Sequence, residues 1–231
     1  MLEVHRKELK YLISLPEAAD LKAKLGFVLK SDPNNKGNGY MVRSLYFDTL
    51  SDSDFEDKVQ GYDNRQKIRL RIYNTEGNSA KLELKEKSGT HQRKRSLKVS
   101  RQEAEQMVRG EYSFLCSRPE PLAKWLYTFL LSRNYRPKCI VEYDRQAYYA
   151  EQNDIRVTLD SNLRATEANF DLFDPKLMLY PVSSASEITL EVKYNNFLFT
   201  HIKQMLGKIG RMQISNSKYC RARMVTKKGR R

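Results

Sequence analysis

The segments Lys67-Ile68-Arg69-Leu70-Arg71-Ile72-Tyr73 and Leu82-Glu83-Leu84-Lys85-Glu86-Lys87 alternate charge and apolarity residue by residue. A period of two sends successive side chains to opposite faces of a β-strand. These segments therefore specify strands with an aliphatic face to bury and a charged face that is mostly cationic. The pattern recurs in Glu8-Leu9-Lys10-Tyr11, Ile155-Arg156-Val157-Thr158-Leu159-Asp160 and Ile188-Thr189-Leu190-Glu191-Val192-Lys193. Taken singly, each fits an ordinary sheet with one solvated face. Taken together they weaken that reading, because like charges opposite one another destabilise a sheet unless an anion compensates them. A sheet that offers Lys and Arg to one side on strand after strand is suited to holding a polyanion.

Strand signals fall near 3–13, 40–48, 66–74, 79–87, 93–99, 138–150, 154–161 and 187–194, with a weaker one near 163–170. Ser14-Leu15-Pro16-Glu17 reads as a capping box opening a helix to about Leu29, and Ser100 with Glu103 opens a short one ending near Gly110. Leu122, Trp125, Leu126, Phe129 and Leu130 form one apolar helical stripe, and Leu198, Ile202, Met205, Leu206 and Ile209 another. Trp125 and Phe129 are expected in the core. Many strands joined by short turns indicate an antiparallel sheet, with helices to cover its aliphatic side. Its cationic side then either meets water or lines the inside of a curved or closed sheet.

At 231 residues, 40% hydrophobic and 30% charged, the chain suits one folded domain, here 1–226, followed by a basic tail, 227–231, expected to be frayed. The net charge of +14 favours anionic partners without choosing among phosphate, nucleic acid and membrane. No apolar run reaches the roughly 18 residues that span a bilayer, and Met1-Leu2-Glu3-Val4-His5-Arg6 holds no apolar signal core. Cys116, Cys139 and Cys220 are far apart and show no C-x-x-C spacing, and His5, His91 and His201 share no metal spacing. The expectation is a cytoplasmic protein with reduced thiols. No Walker-type phosphate loop and no Gly-x-Ser-x-Gly elbow is present.

His5-Arg6-Lys7-Glu8-Leu9-Lys10-Tyr11, Arg43-Ser44-Leu45-Tyr46-Phe47-Asp48, Lys67-Ile68-Arg69-Leu70-Arg71, Leu82-Glu83-Leu84-Lys85, Tyr143-Asp144-Arg145, Arg156-Val157-Thr158-Leu159-Asp160, Glu191-Val192-Lys193-Tyr194 and Ser217-Lys218-Tyr219 stand in one order along nearly the whole chain. In that order they resemble the triphosphate tunnel metalloenzymes, and among them the polyphosphate polymerase domain of the vacuolar transporter chaperone (VTC) complex. The resemblance implies an α+β fold: an antiparallel closed β-barrel of about eight strands with helices packed outside. It implies that Lys10, Arg43, Arg69, Arg71, Lys85, Lys94, Tyr143, Arg145, Arg156, Lys193 and Lys218 contact a phosphate chain. Lys10, Arg69, Arg71, Arg145 and Lys193 would act in catalysis. Glu191 would hold Mn²⁺ or Mg²⁺. The residue types alone leave Glu191 as an ion-pair partner of Lys193 or an arginine, Glu8 and Glu83 equally open, and the register of Lys94 unset between Arg93 and Arg95.

Tunnel triphosphatases begin with Glu-x-Glu-x-Lys, whereas this chain has Arg6, Glu8 and Lys10 in those places. That substitution directs the reading toward an ATP-dependent polyphosphate polymerase rather than a triphosphatase of the same superfamily. A non-catalytic polyphosphate-binding module is the third reading and a nucleic-acid binder the fourth; nucleic acid is not the expected partner. The partners implied are ATP, polyphosphate or triphosphate, with a membrane-protein partner left open and no transmembrane segment. The sequence does not specify an oligomeric state.

Overall fold

The computed structural model describes residues 6–37, 39–89, 91–207, 214–215 and 217–228. In chain order the elements are β1 (Arg6–Ile13), α1 (Leu15–Val28), β2 (Lys30–Ser31), β3 (Tyr40–Asp48), α2 (Ser53–Gln60), β4 (Arg65–Ile72), β5 (Ser79–Ser88), β6 (His91–Ser100), α3 (Arg101–Val108), α4 (Phe114–Ser117), α5 (Pro121–Ser132), β7 (Arg136–Ala150), β8 (Ile155–Thr166), β9 (Tyr180–Pro181), β10 (Ile188–Asn195), α6 (Thr200–Gly207) and α7 (Lys218–Lys228). The fold is mixed α+β. Hydrogen bonds link the strands in the order β1-β10-β8-β7-β3-β4-β5-β6, with β2 added on β7 and β9 on β8.

This path has two ends, and among the described residues β1 and β6 do not pair, so the closed barrel expected above is not formed. The physical reason lies in what alternation encodes: it fixes which face is buried, but not whether the edges meet. Both edges are also rich in charge, with Lys7, Glu8 and Lys10 on β1 and Arg93, Lys94 and Arg95 on β6, a composition that disfavours further strand pairing.

Backbone contacts divide the chain into two compact units. The first comprises residues 1–41, 143–163 and 183–216. Its core joins Ala18, Leu21 and Leu25 of α1 to Ile155, Val157 and Leu159 of β8 and Ile188, Leu190 and Val192 of β10, with Leu198 just before α6 and Ile202 within it. Each Leu, Ile or Val among them, removed from water, contributes about 1.5–3 kcal/mol. The Ser14 capping box forms as its sequence requires: Ser14 Oγ accepts from Glu17 N, and Glu17 Oε2 accepts from Ser14 N at 2.8 Å. At Gly39, φ is +114°, and a Cβ there would collide with the carbonyl oxygen of Arg145. Only glycine admits that approach to the strand carrying Arg145.

The second unit comprises 42–142, 164–182 and 217–231. The register of β3, β4, β5 and β6 places Leu45, Phe47, Ile68, Leu70, Leu82, Leu84 and Leu97 on one side, all of them buried. Tyr112 meets Phe47 there edge to face, ring centroids 6.4 Å apart. Asp48, fully buried, caps α2 from the end of β3: its carboxylate accepts from Asp54 N, Phe55 N and Thr49 N at 2.7–3.0 Å and from Tyr219 Oη of α7 at 2.7 Å. Helix α7 was not anticipated. Its apolar stripe is weak, and it is anchored instead by Tyr219 and by Arg223, which pairs with Asp52 and Glu167 at 2.5 and 2.7 Å. Lys227 and Lys228 of the expected frayed tail therefore continue a helix, and 229–231 lie outside the described residues.

Two local expectations are corrected. The strand signal near 163–170 is the end of β8, which runs unbroken to Thr166. Trp125 is 37% exposed rather than core. It stacks on Phe129 at 4.5 Å and lies 5.1 Å from the Arg95 guanidinium, so the helical stripe extends past the edge of the layer it covers.

Candidate phosphate-binding faces

In the second unit the period-two pattern puts Ser44 and Tyr46 of β3, Lys67, Arg69 and Arg71 of β4, Lys81, Glu83 and Lys85 of β5 and Lys94 of β6 on one face. The register settles Lys94: it stands opposite Lys85, and its Nζ lies 2.5 Å from Glu83 Oε1. Glu83 Oε2 accepts from Arg69 Nε at 2.8 Å, with Arg71 Nη2 at 3.6 Å. Burial alone would raise the Glu83 carboxyl, but the charges and hydrogen bonds of Arg69 and Lys94 hold it below the usual carboxylate range. One buried anion thus organises three cations.

Beside it, Arg69 Nη1 donates to Tyr46 Oη at 2.9 Å, and Lys67 Nζ donates to Ser217 Oγ at 2.8 Å while lying 5.7 Å from the Tyr46 and Tyr219 ring centres. Burial would push the Tyr46 phenol up, yet Arg69, Lys67 and Lys218 outweigh it and hold its pKa below the ordinary value. Lys218, at the start of α7, therefore acts electrostatically on the same group as Arg69.

Arg43 does not join this face. It pairs with Ile72 in the register, on the aliphatic side of β3 with Leu45 and Phe47. It is 3% exposed, its Nε donates to Glu142 Oε2 at 2.6 Å, and its Nη1 donates to the carbonyls of Leu172 and Asp174 at 3.1 and 2.6 Å. Glu142 is also held by Arg164 at 2.7 Å. Arg43 is a structural residue pinning the 172–174 segment, and its assignment as a phosphate contact is withdrawn.

The first unit carries its own polar face. Across β1, β10 and β8 the register sets Lys10 opposite Glu191, Glu191 opposite Thr158, and Lys193 opposite Arg156. Lys193 Nζ contacts Glu191 Oε1 directly; Lys10 Nζ lies 3.8 Å from Glu191 Oε2 and 2.5 Å from Glu8 Oε1. Arg145 makes a two-pronged bond to Asp160 at 2.7 and 2.8 Å and lies 5.3 Å from the Tyr143 ring centre. Such forks fix a guanidinium plane. Arg156 Nη2 donates to Asp32 at 2.7 Å and to Tyr40 Oη at 3.2 Å. Sequence reading missed Asp160, Asp32 and Tyr40 as the groups that orient these arginines, and Lys67 as a member of the second face. Period-two spacing from Arg69 would have found Lys67.

Among the described residues no three His, Cys, Asp or Glu side chains cluster as a metal cage. Thr158 Oγ1, however, is buried without a hydrogen-bond partner among the described residues, and its residue stands opposite Glu191. One carboxylate and one neutral oxygen fit a hard divalent ion that keeps several waters and completes its shell with substrate phosphates.

The VTC domain family matches residues 5–227. No curated protein matches the chain. Among solved structures, a candidate adenylyl cyclase from Hippeastrum, described as having a dominant triphosphatase activity, aligns with TM-score 0.57 at 13% identity over 97% of this chain and 96% of that one. A candidate adenylate cyclase from Bacillus halodurans aligns with TM-score 0.54 at 14% identity over 92% and 95%. At such identities the structural likeness establishes the fold only. The family match covers almost the whole length and all the motifs placed above, and the chain belongs to the VTC domain family.

Proposed function

We propose that this protein transfers the γ-phosphate of ATP to the end of a growing polyphosphate chain. The carrying observation is how its polar faces use their carboxylates. Glu8, Glu83, Asp160 and Glu191 are each bonded to Lys or Arg, which leaves them poorly placed to take a proton from water. Hydrolysis by a side-chain base needs a carboxylate free to take that proton. A terminal phosphate does not, since it is already ionised near neutral pH.

Arg69, Arg71, Arg145 and Arg156 would grip phosphate oxygens as planar forks, and Lys10, Lys85, Lys94, Lys193 and Lys218 would act as point charges. Positioning and charge neutralisation supply most of what phosphoryl transfer requires. A terminal phosphate oxygen forms a bond to the γ-phosphorus, the bond to the β–γ bridging oxygen breaks, ADP leaves, and the polymer gains one unit. Glu191, with Thr158 beside it, would hold Mn²⁺ or Mg²⁺, which when bound neutralises the phosphate oxygens. A triphosphatase is the second reading, supported by the activity described for the Hippeastrum relative.

Arg69→Ala and Arg71→Ala are each expected to weaken binding of a polyphosphate of defined length about tenfold or more, measured by titration calorimetry at fixed salt. Unchanged affinity in both would contradict the proposal.

A further inference from the structure

The register of β3 and β4 sets two hydroxyls opposite two guanidiniums: Tyr46 faces Arg69, and Ser44 faces Arg71. The longer pair closes on itself through the 2.9 Å bond from Arg69 to Tyr46. The shorter pair does not close. Ser44 Oγ and Arg71 Nε are both sealed from solvent, and neither has a hydrogen-bond partner among the described residues. Ser44 is fully buried and Arg71 is 8% exposed. The other nitrogens of Arg71 are engaged, Nη1 with Tyr73 Oη at 3.3 Å and Nη2 toward Glu83 at 3.6 Å.

Buried polar atoms without partners are rare in folded proteins, so two on facing residues call for a common cause. Arg Nε can only donate, and a serine hydroxyl can rotate to donate. A group that satisfies both must be an acceptor, and the charges of Arg69, Lys81 and Lys94 on the same face favour an anionic oxygen.

We propose that Ser44 and Arg71 together bind one oxygen of the substrate's phosphate chain, which makes Ser44 a binding residue in addition to the cations. The proposal rests on the phosphate-chain reading above. Glu83 holds Arg71 Nη2 only at long range, so a phosphate that takes over Nη2 frees the guanidinium to turn Nε toward the same anion.

The test is calorimetric titration with inorganic triphosphate of the wild type, Ser44→Ala and Ser44→Thr, together with melting temperatures of each free protein. Ser44→Ala is expected to bind about 10- to 100-fold more weakly, the worth of one hydrogen bond to a charged group. Its free form should melt no lower than the wild type, because the hydroxyl removed has no partner there. Ser44→Thr keeps the hydroxyl and should bind more tightly than Ser44→Ala. Wild-type affinity in Ser44→Ala overturns the proposal, since the hydroxyl then meets water at most. Equal weakening in both variants with lowered melting temperatures also overturns it, as a packing effect. A wild type that binds no triphosphate sinks the phosphate-chain reading itself, an outcome distinct from one confined to the Ser44 variants.

Discussion

Replacing Glu191 by Gln is expected to lower polyphosphate synthesis at least 100-fold while the free protein stays folded. Loss of a single group that stabilises transition-state charge typically costs about 100- to 1000-fold, and Glu191 is the carboxylate assigned to the metal. The same change should tighten metal-free triphosphate binding. It removes the negative charge contacted by Lys193 and approached by Lys10, leaving both ammonium groups to the substrate. A structural ion pair alone would not give opposite signs in turnover and binding. Steady-state rates with ATP and Mn²⁺, beside calorimetry without metal, read both quantities. Unchanged turnover would remove the metal assignment.

The second large effect concerns stability. Asp54, 2% exposed at the start of α2, is pushed up to about 8 from 3.8, first by burial and then by the nearby charge of Asp48, against the hydrogen bond from Tyr135 Oη at 2.8 Å. Its folded-state value lies above its unfolded value, so the folded protein binds the extra proton between these limits. Stability from this group is therefore complete below about pH 4 and declines as pH rises toward 8. At ~1.4 kcal/mol per pH unit the penalty is on the order of 4 kcal/mol at pH 7. Asp54→Asn keeps a neutral side chain of the same shape. It should raise the urea midpoint little at pH 4.5 and strongly at pH 8. A gain independent of pH would show that Asp54 is not protonated in the folded protein.

Much of this molecule was legible because it is local. The Ser14 and Ser100 capping boxes need only four residues each, and alternation along β4 and β5 assigned every aliphatic side chain there to the buried side. Arg43 was legible too, had its parity been followed: it alternates in phase with Leu45 and Phe47, which placed it on the apolar side whatever motif surrounds it. Other features depend on distant partners. Helix α7 is held by Tyr219 on Asp48 and by Arg223 on Asp52 and Glu167, pairings with no trace in the local pattern. The Ser44–Arg71 and Thr158–Glu191 juxtapositions follow from register, which alternation leaves free by steps of two.

The most direct test of the proposed chemistry is to incubate the purified protein with ATP and Mn²⁺ and to separate polyphosphate, free phosphate and ADP. The expected result is polyphosphate and ADP rising in step, with both abolished in Glu191→Gln. Free phosphate without polymer would contradict the polymerase reading in favour of a triphosphatase, and tight polyphosphate binding with no ADP would reduce the protein to a binding module.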